Sequence, residues 1–398
     1  MKKMIAVLML LTLVIGLFAG CSQAPQIHAS TEEVIKIGVF EPHTGKNASG
    51  GKQETLGIGY ANSIQPTVKI NGTTYRVELI ISDNESSVDK APTAATTLVD
   101  HGVSVVLGSY GSDVAMAGSS VFEAAGIPVV GVTCSNPAVT AGNDHYFRIC
   151  WVDTFQGSAL AHFANDKLAA GSVYCLAEQG DNYSAGLCSN FIGAFTALGG
   201  TVVYETYPAG TTDFGPYIRA AQSEGAEILF APVSTESALW IITQAGEQGL
   251  DMPILAGDTW DSNVVAAAGK NTNLDIYVTT FFDENAQKAE GKEFVRGFQN
   301  YLTTLDSRVK HNGGNTMVSA ASAMGFDAYF TVMEAMENAK SADPADIQEA
   351  LWNTTYEGIT GDIAFDSENG DAIRNIAFIK KVNKNFGTWD FVTIQSVK

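Results

Sequence analysis

Positive charge is scarce in this chain. Its 398 residues include 23 Lys and Arg against 43 Asp and Glu, a formal net charge of −20. A surface so acidic repels phosphate backbones and anionic headgroups, which excludes nucleic acid and anionic lipid as natural partners. Proline numbers only 11, and the five cysteines and six histidines show no zinc-ligand spacing. No Gly-x-Ser-x-Gly occurs, so a nucleophile elbow is unsupported. Gly45-Lys46-Asn47 lacks the hydroxyl and upstream glycine of a phosphate loop, and Gly57-Ile58-Gly59 lacks the third glycine of a dinucleotide turn. Those gaps argue against an enzyme and against a resident metal or cofactor.

What is present begins with an export signal. Lys2 and Lys3 precede an apolar run, Ile5 to Phe18, too short for a membrane span and charged at its start. The run ends in Leu17-Phe18-Ala19-Gly20-Cys21, which resembles the bacterial lipobox. That likeness implies a signal peptide over 1–20 and lipidation of Cys21. Residues 21–33 are polar and read as a tether, which fully extended would reach roughly 40 Å. No later segment is long enough to span lipid, so a body outside the cytoplasm, anchored at one end, is expected. Export also permits disulfides among Cys134, Cys150, Cys175 and Cys188. Cys175 and Cys188 are candidates for adjacency, and buried free thiols remain the alternative.

The body repeats one theme. Short runs rich in Val and Ile give way to helical patterns at 34–40, 77–82, 103–107, 127–132, 172–177, 201–204, 227–231, 253–256 and 275–280. Apolar strands alternating with helices predict an α/β fold with parallel sheets covered on both faces. Ser112 is expected to cap a helix that turns Val114, Ala117, Val121, Phe122 and Ala125 inward, stopped by Gly126-Ile127-Pro128. Arg148-Ile149-Cys150-Trp151 reads as a strand crossing out of the first unit, after which the pattern restarts. Two similar doubly wound lobes are therefore expected.

Ligands of such sheets bind beyond the carboxyl ends of the strands. The loops there, 40–52, 108–113, 131–137, 178–183, 231–236 and 256–260, carry few cations. Ser112 opens one helix, and Thr133-Cys134-Ser135-Asn136-Pro137 follows the next strand. Hydroxyls and backbone N–H groups suit a carboxylate, whereas phosphate more often recruits Arg or Lys. Asp258, in Leu255-Ala-Gly-Asp-Thr-Trp260, supplies an acid from the second unit. Donors on one side and an acid on the other complement a zwitterion, the main chain of an amino acid. Tyr110, Trp260, Phe281 and Phe282 are candidates for the side-chain pocket, each with ordinary core packing as the alternative.

The order and spacing of these loops resemble the branched-chain amino-acid-binding proteins, type I periplasmic binding proteins of ABC transporters. The likeness runs from Ile35-Lys-Ile-Gly-Val39 to about Asn383. It rests on Gly108-x-x-x-Ser112, Gly126-Ile-Pro128, Ser135-Asn136-Pro137, Tyr183, Thr212-Asp213-Phe214 and Gly257-Asp258. It implies two Rossmann-like lobes on a multi-strand hinge, with 34–150 and 282–357 in one and 151–281 and 358–398 in the other. It also implies that Ser112, Ser135 and the backbone of Thr133 take a carboxylate, that Asp258 takes the ammonium, and that Tyr183 closes across the cleft. The family often has Glu at the place of Asp258 and an aromatic residue at Gly50, where more space is expected here. The expected partners are an amino acid, of branched-chain or other apolar type, a membrane permease and, through Cys21, the membrane, with the protein a monomer. A sensing module of the same fold and a binder of small amides or urea are the alternatives.

Overall fold

The computed structural model describes residues 33–285 and 288–396; the signal peptide, Cys21 and nearly all of the tether lie outside them. Fifteen strands are arranged in two sheets and one hairpin among the described residues. The first sheet comprises β1 (Val34–Glu41), β2 (Thr67–Ile70), β3 (Thr73–Asp83), β4 (Val105–Leu107), β5 (Val129–Gly131) and β6 (Tyr146–Arg148), in the order β2-β3-β1-β4-β5-β6. β1, β3, β4, β5 and β6 run parallel, and β2 pairs antiparallel with β3. All three residues of β4 are wholly buried, as continuous apolar strands covered on both faces must be.

The chain then builds the second sheet with β7 (Ser172–Glu178), β8 (Thr201–Tyr207), β9 (Ile228–Phe230), β10 (Ile254–Ala256) and β11 (Ile276–Thr280), all parallel. β12 (Thr355–Gly358) and β13 (Gly361–Ala364) form a separate hairpin. β14 (Ala377–Asn383) and β15 (Thr388–Gln395) return antiparallel to complete the order β15-β14-β11-β10-β9-β7-β8. Between β11 and β14 the chain revisits the first sheet: Phe282, Phe294, Phe298, Met324, Tyr329 and Ile363 share a core with Ile37, Val39 and Leu107.

The nine expected strands are present, and the fold class is an α/β arrangement of two mostly parallel sheets. Five further strands, β2, β12, β13, β14 and β15, were not expected. The β2–β3 hairpin did carry a signal, because Asn71-Gly72 has both residues at positive φ, as a two-residue hairpin turn requires. The expected crossing strand at 148–151 ends at Arg148, where pairing with β5 stops. The helix Ser112–Ala124 also departs from expectation. Its cap position is Gly111 at φ 105°, Ser112 is already helical, and the Ser112 hydroxyl makes no capping bond. Ala115 and Gly118 are buried on that helix, while Ala117 and Val121 are half-buried and Ala125 faces solvent.

All four cysteines of the body are buried free thiols. Cys175 neighbours Cys188, and Cys134 neighbours Cys150, each pair as thiols.

Candidate functional site

The loops at the carboxyl ends of the two sets of strands face one another. The 108–112 loop leaves β4, and the Ser112 hydroxyl accepts the backbone N–H of Asn136 at 3.1 Å. That bond ties the loop to 133–136, which leaves β5. The hydroxyl proton of Ser112 stays available for a guest. Ser135 is wholly buried, and its hydroxyl has no hydrogen-bond partner. Thr133 does not keep its hydroxyl free: it donates to Glu54.

On the opposite side Asp258 starts the short 3-10 turn Asp258–Trp260 just past β10. Its Oδ1 accepts from Tyr183 at 2.9 Å and from Gln156 Nε2 at 2.7 Å. Burial pushes its carboxyl up to about 6, against the pull of those two hydrogen bonds. Tyr183 is nearly buried, and the same burial, with the Asp258 charge beside it, raises its phenol. Ser135 thus lies in a loop after its strand, and Ser112, Tyr183 and Asp258 lie in the first turns of the helices or 3-10 turn that follow such loops.

Tyr110 has a different part from a pocket wall. Its hydroxyl donates to Thr259 O at 3.0 Å, a bond from the first-sheet side to the second. Its ring fills the place left by Gly50, where an added Cβ would lie 2.2 Å from the Tyr110 ring. The extra space expected at Gly50 is therefore occupied. Trp260 is a core residue: it is wholly buried with Ala238, Ile241 and Val265, and its indole N–H donates to Val233 O at 3.1 Å. Phe281 and Phe282 also pack in a core. Phe281 stacks on Trp151 with ring centroids 3.8 Å apart, where the chain passes between the sheets.

Three buried acids beside these loops were not singled out from the sequence. Glu41, at the end of β1, is wholly buried and its Oε2 accepts the Tyr110 N–H at 2.7 Å. Burial, and then the neighbouring Glu54, raise its carboxyl well above the ordinary range. Glu54 is raised to about 8 chiefly by burial, opposed by hydrogen bonds to Glu41 and Thr133. Asp153, in the first turn of the helix Asp153–Asp166, is wholly buried and is raised to about 8 by burial and then by Asp258. Ser135 stands beside it without a well-aligned bond, and both carboxyl oxygens lack partners. Glu41 lay inside a loop marked for attention; Glu54 and Asp153 sit on helices, and one carboxylate among 43 gives no signal of its own.

The mouth is stapled across the two sides. Lys46 Nζ lies 3.0 Å from Glu178 and 2.8 Å from Asp181. Burial alone would lower the lysine, but the two carboxylates raise it. Glu236 N–H donates to Lys46 O at 3.1 Å, and Asn136 Nδ2 donates to Asn182 O at 2.8 Å. A cavity of about 300 Å³ at this mouth is lined by Lys46, Ser112, Asp113, Asp181, Tyr183 and Thr259, among others.

Comparison with known proteins identifies the family. A family model described as periplasmic binding protein matches residues 34–386. A leucine-binding protein, LivK, of Thermotoga maritima is 30% identical, with a TM-score of 0.82 over 91% of this chain and 99% of that one. The branched-chain amino acid transporter substrate-binding protein LivJ of Streptococcus pneumoniae, solved with isoleucine, is 24% identical, with a TM-score of 0.78 over 92% and 100%. An amino acid binding protein of Pseudomonas aeruginosa is 28% identical over 314 residues, 78% of this chain and 81% of its own length. The chain belongs to the periplasmic binding protein family, in its leucine/isoleucine/valine-binding branch, and is a non-enzymatic solute-binding protein of the type that serves ABC transporters.

Proposed function

We propose that this protein captures an extracellular amino acid between two lobes that close over it, and presents it to an ABC-transporter permease. The observation that carries the reading is Asp258, a buried carboxyl held by Tyr183 and Gln156, across from the unpartnered hydroxyl of Ser135 and the available proton of Ser112. In this reading Ser112 and Ser135 take the α-carboxylate and Asp258 the α-ammonium. The backbone N–H of Thr133 joins them at the carboxylate, since its hydroxyl is engaged. Tyr183 positions Asp258 rather than touching the guest first.

The energetics require closure. Micromolar affinity corresponds to about −8 kcal/mol. Charge-assisted hydrogen bonds contribute roughly 1.5–3 kcal/mol each, and only where water is excluded. Three or four such bonds reach that range after the cost of ordering, provided the loops shut over the guest. Hinge closure also gives the permease a signal, because only the closed form fixes the lobes relative to one another. Lipidation of Cys21 and a polar tether over 21–33 would hold this receptor at the membrane, outside the cytoplasm.

Thermal-shift screening against the twenty amino acids tests the reading, after unfolding and refolding to strip any carried guest. A bound amino acid at 100 times its Kd adds about 2.7 kcal/mol to stability, an easily read rise in midpoint. No rise with any amino acid, together with a rise for a small amide or urea, would transfer the site to the neutral-amide alternative.

A further inference from the structure

The turn that carries Asp258 also carries bonds across the cleft. In the segment Asp258–Ser262, Thr259 O accepts from Tyr110 at 3.0 Å, and the Ser262 hydroxyl meets that of Ser49 at 2.9 Å. Ser49 belongs to the helix Ala48–Ile64, which packs on the first sheet through Leu56, Ile58 and Ala61. Within the turn, Asp261 N–H donates to Asp258 O at 2.9 Å. Where Asp261 is held therefore decides where Asp258 stands, three residues earlier.

A buried cation holds Asp261. Lys380 Nζ lies 3.3 Å from Asp261 Oδ2, and each side chain keeps only 2% of its surface exposed. The Thr280 hydroxyl donates to the same oxygen. Lys380 lies on β14 opposite Val278 of β11, and Thr280 is the last residue of β11. The chain leaves β11 for the first core and returns from it to β14, so these are the strands a hinge motion must pass through. Thr279 completes the attachment, because its hydroxyl accepts from the same Gln156 Nε2 that donates to Asp258. Burying two charges costs much of what their attraction returns, and apolar residues of similar volume often serve stability as well. What the ion pair adds is direction, since one carboxylate must meet both Lys380 and Thr280.

We propose that Lys380 and Asp261 are positioning residues of the binding site. The pair fixes the 258–262 turn to the hinge strands, so that one rigid turn presents Asp258 to the guest and receives Tyr110 and Ser49 on closure. The inference rests on the amino-acid reading above for the role of Asp258, and adds the residues that aim it. Neither Lys380 nor Asp261 touches the guest. Their contribution is preorganisation: a turn ordered before binding loses no freedom when the guest arrives.

The double variant Asp261→Asn/Lys380→Met tests the proposal, because it removes both charges together and leaves no unpaired ion in the core. The readouts are titration with L-leucine and hydrogen exchange at Trp260, Asp261 and Ser262, whose N–H groups bond to Gly257, Asp258 and Trp260 carbonyls. The variant should bind L-leucine at least about tenfold more weakly. Those three amides should exchange at least about tenfold faster, with the amides of β4 and β9 unchanged. A merely structural role would leave the effect of a substitution across the cleft the same in both backgrounds. Tyr110→Phe should instead raise Kd about 2–10-fold in the wild type and less than about twofold in the double variant. Thr280→Val removes only the hydroxyl bond to Asp261; it should act in the same directions by about threefold, and it decides the matter should the double variant not fold. L-leucine binding within about twofold of wild type, with unchanged exchange in the turn, overturns the proposal and leaves the role of Asp258 standing. If the wild type binds no L-leucine, that result counts against the amino-acid reading, and the exchange rates alone sustain or overturn the positioning role.

Discussion

Lys46→Met is the sharpest perturbation of closure. Lys46 leaves the first sheet's loop and ends 3.0 Å from Glu178 and 2.8 Å from Asp181, with 29% of its side chain exposed. Two unit charges at 4 Å attract by about 4 kcal/mol at an effective dielectric of 20. Desolvation and side-chain ordering return most of that, leaving about 0.2–1 kcal/mol for each pair at such exposure. Methionine keeps the apolar stem and leaves two acids facing one another, which adds a repulsive contribution. The closed form should lose about 1–2 kcal/mol, and Kd should rise about 5–30-fold, mainly through faster release. The backbone bond from Glu236 to Lys46 O survives the substitution, so the fold should not change. Titration and stopped-flow release from about 0.02 to about 0.5 M salt provide the assay. Wild-type affinity should fall with salt, and the variant should be nearly insensitive. Equal affinity and equal salt slopes for the two proteins would refute the assignment of Lys46 as a closure contact.

Further outcomes follow from the same site. Asp258→Asn should weaken amino-acid binding about 10–150-fold, the loss of one charge-assisted bond, while leaving the unliganded midpoint unchanged or slightly higher, read by titration and thermal melting. Asp258 at about 6, and Glu54 and Asp153 at about 8, all lie above their unfolded values, so the folded protein binds more protons than the unfolded chain. Unliganded stability should therefore be greatest below about pH 4–5 as far as these groups decide it, and fall as pH rises through 6 to 8, with roughly 3 kcal/mol from Asp258 alone; a midpoint that climbs over that window would contradict the burial of these acids. Tyr110→Phe should cost about 0.5–1.5 kcal/mol of closure, a Kd change of roughly 2–10-fold, because Thr259 O keeps a second donor in Thr235. Cys21→Ser should release the protein from membranes into the soluble fraction on fractionation, and unchanged membrane association would remove the lipid anchor from the account.

The strands could be read from the sequence wherever both faces of a sheet are covered, because burial there demands unbroken apolar runs such as Val105-Val106-Leu107. Edge strands with mixed exposure, such as β15 with Phe391 and Ile394 facing out, carry no such run and were missed. The candidate site residues named from the sequence, Ser112, Ser135, Tyr183 and Asp258, sit in, or one turn past, the loops that follow strands. Trp260 sits in the same kind of loop yet turns into the core, because its indole N–H finds Val233 O there. Asp153 and Glu54 depend on which face of a helix meets the cleft, and that is set by packing between elements far apart in the chain. Gly50 was misleading for the same reason, since Tyr110 of a different loop fills the gap.

The central claim is that an amino acid lies with its carboxylate toward Ser112 and Ser135 and its ammonium toward Asp258. A crystal structure of the refolded protein with its tightest-binding amino acid tests it most directly. The account predicts the guest's carboxylate oxygens within hydrogen-bond distance of both serine hydroxyls and its α-nitrogen within that distance of the Asp258 carboxyl. A guest bound elsewhere, or one turned so that its carboxylate meets Asp258, would contradict it.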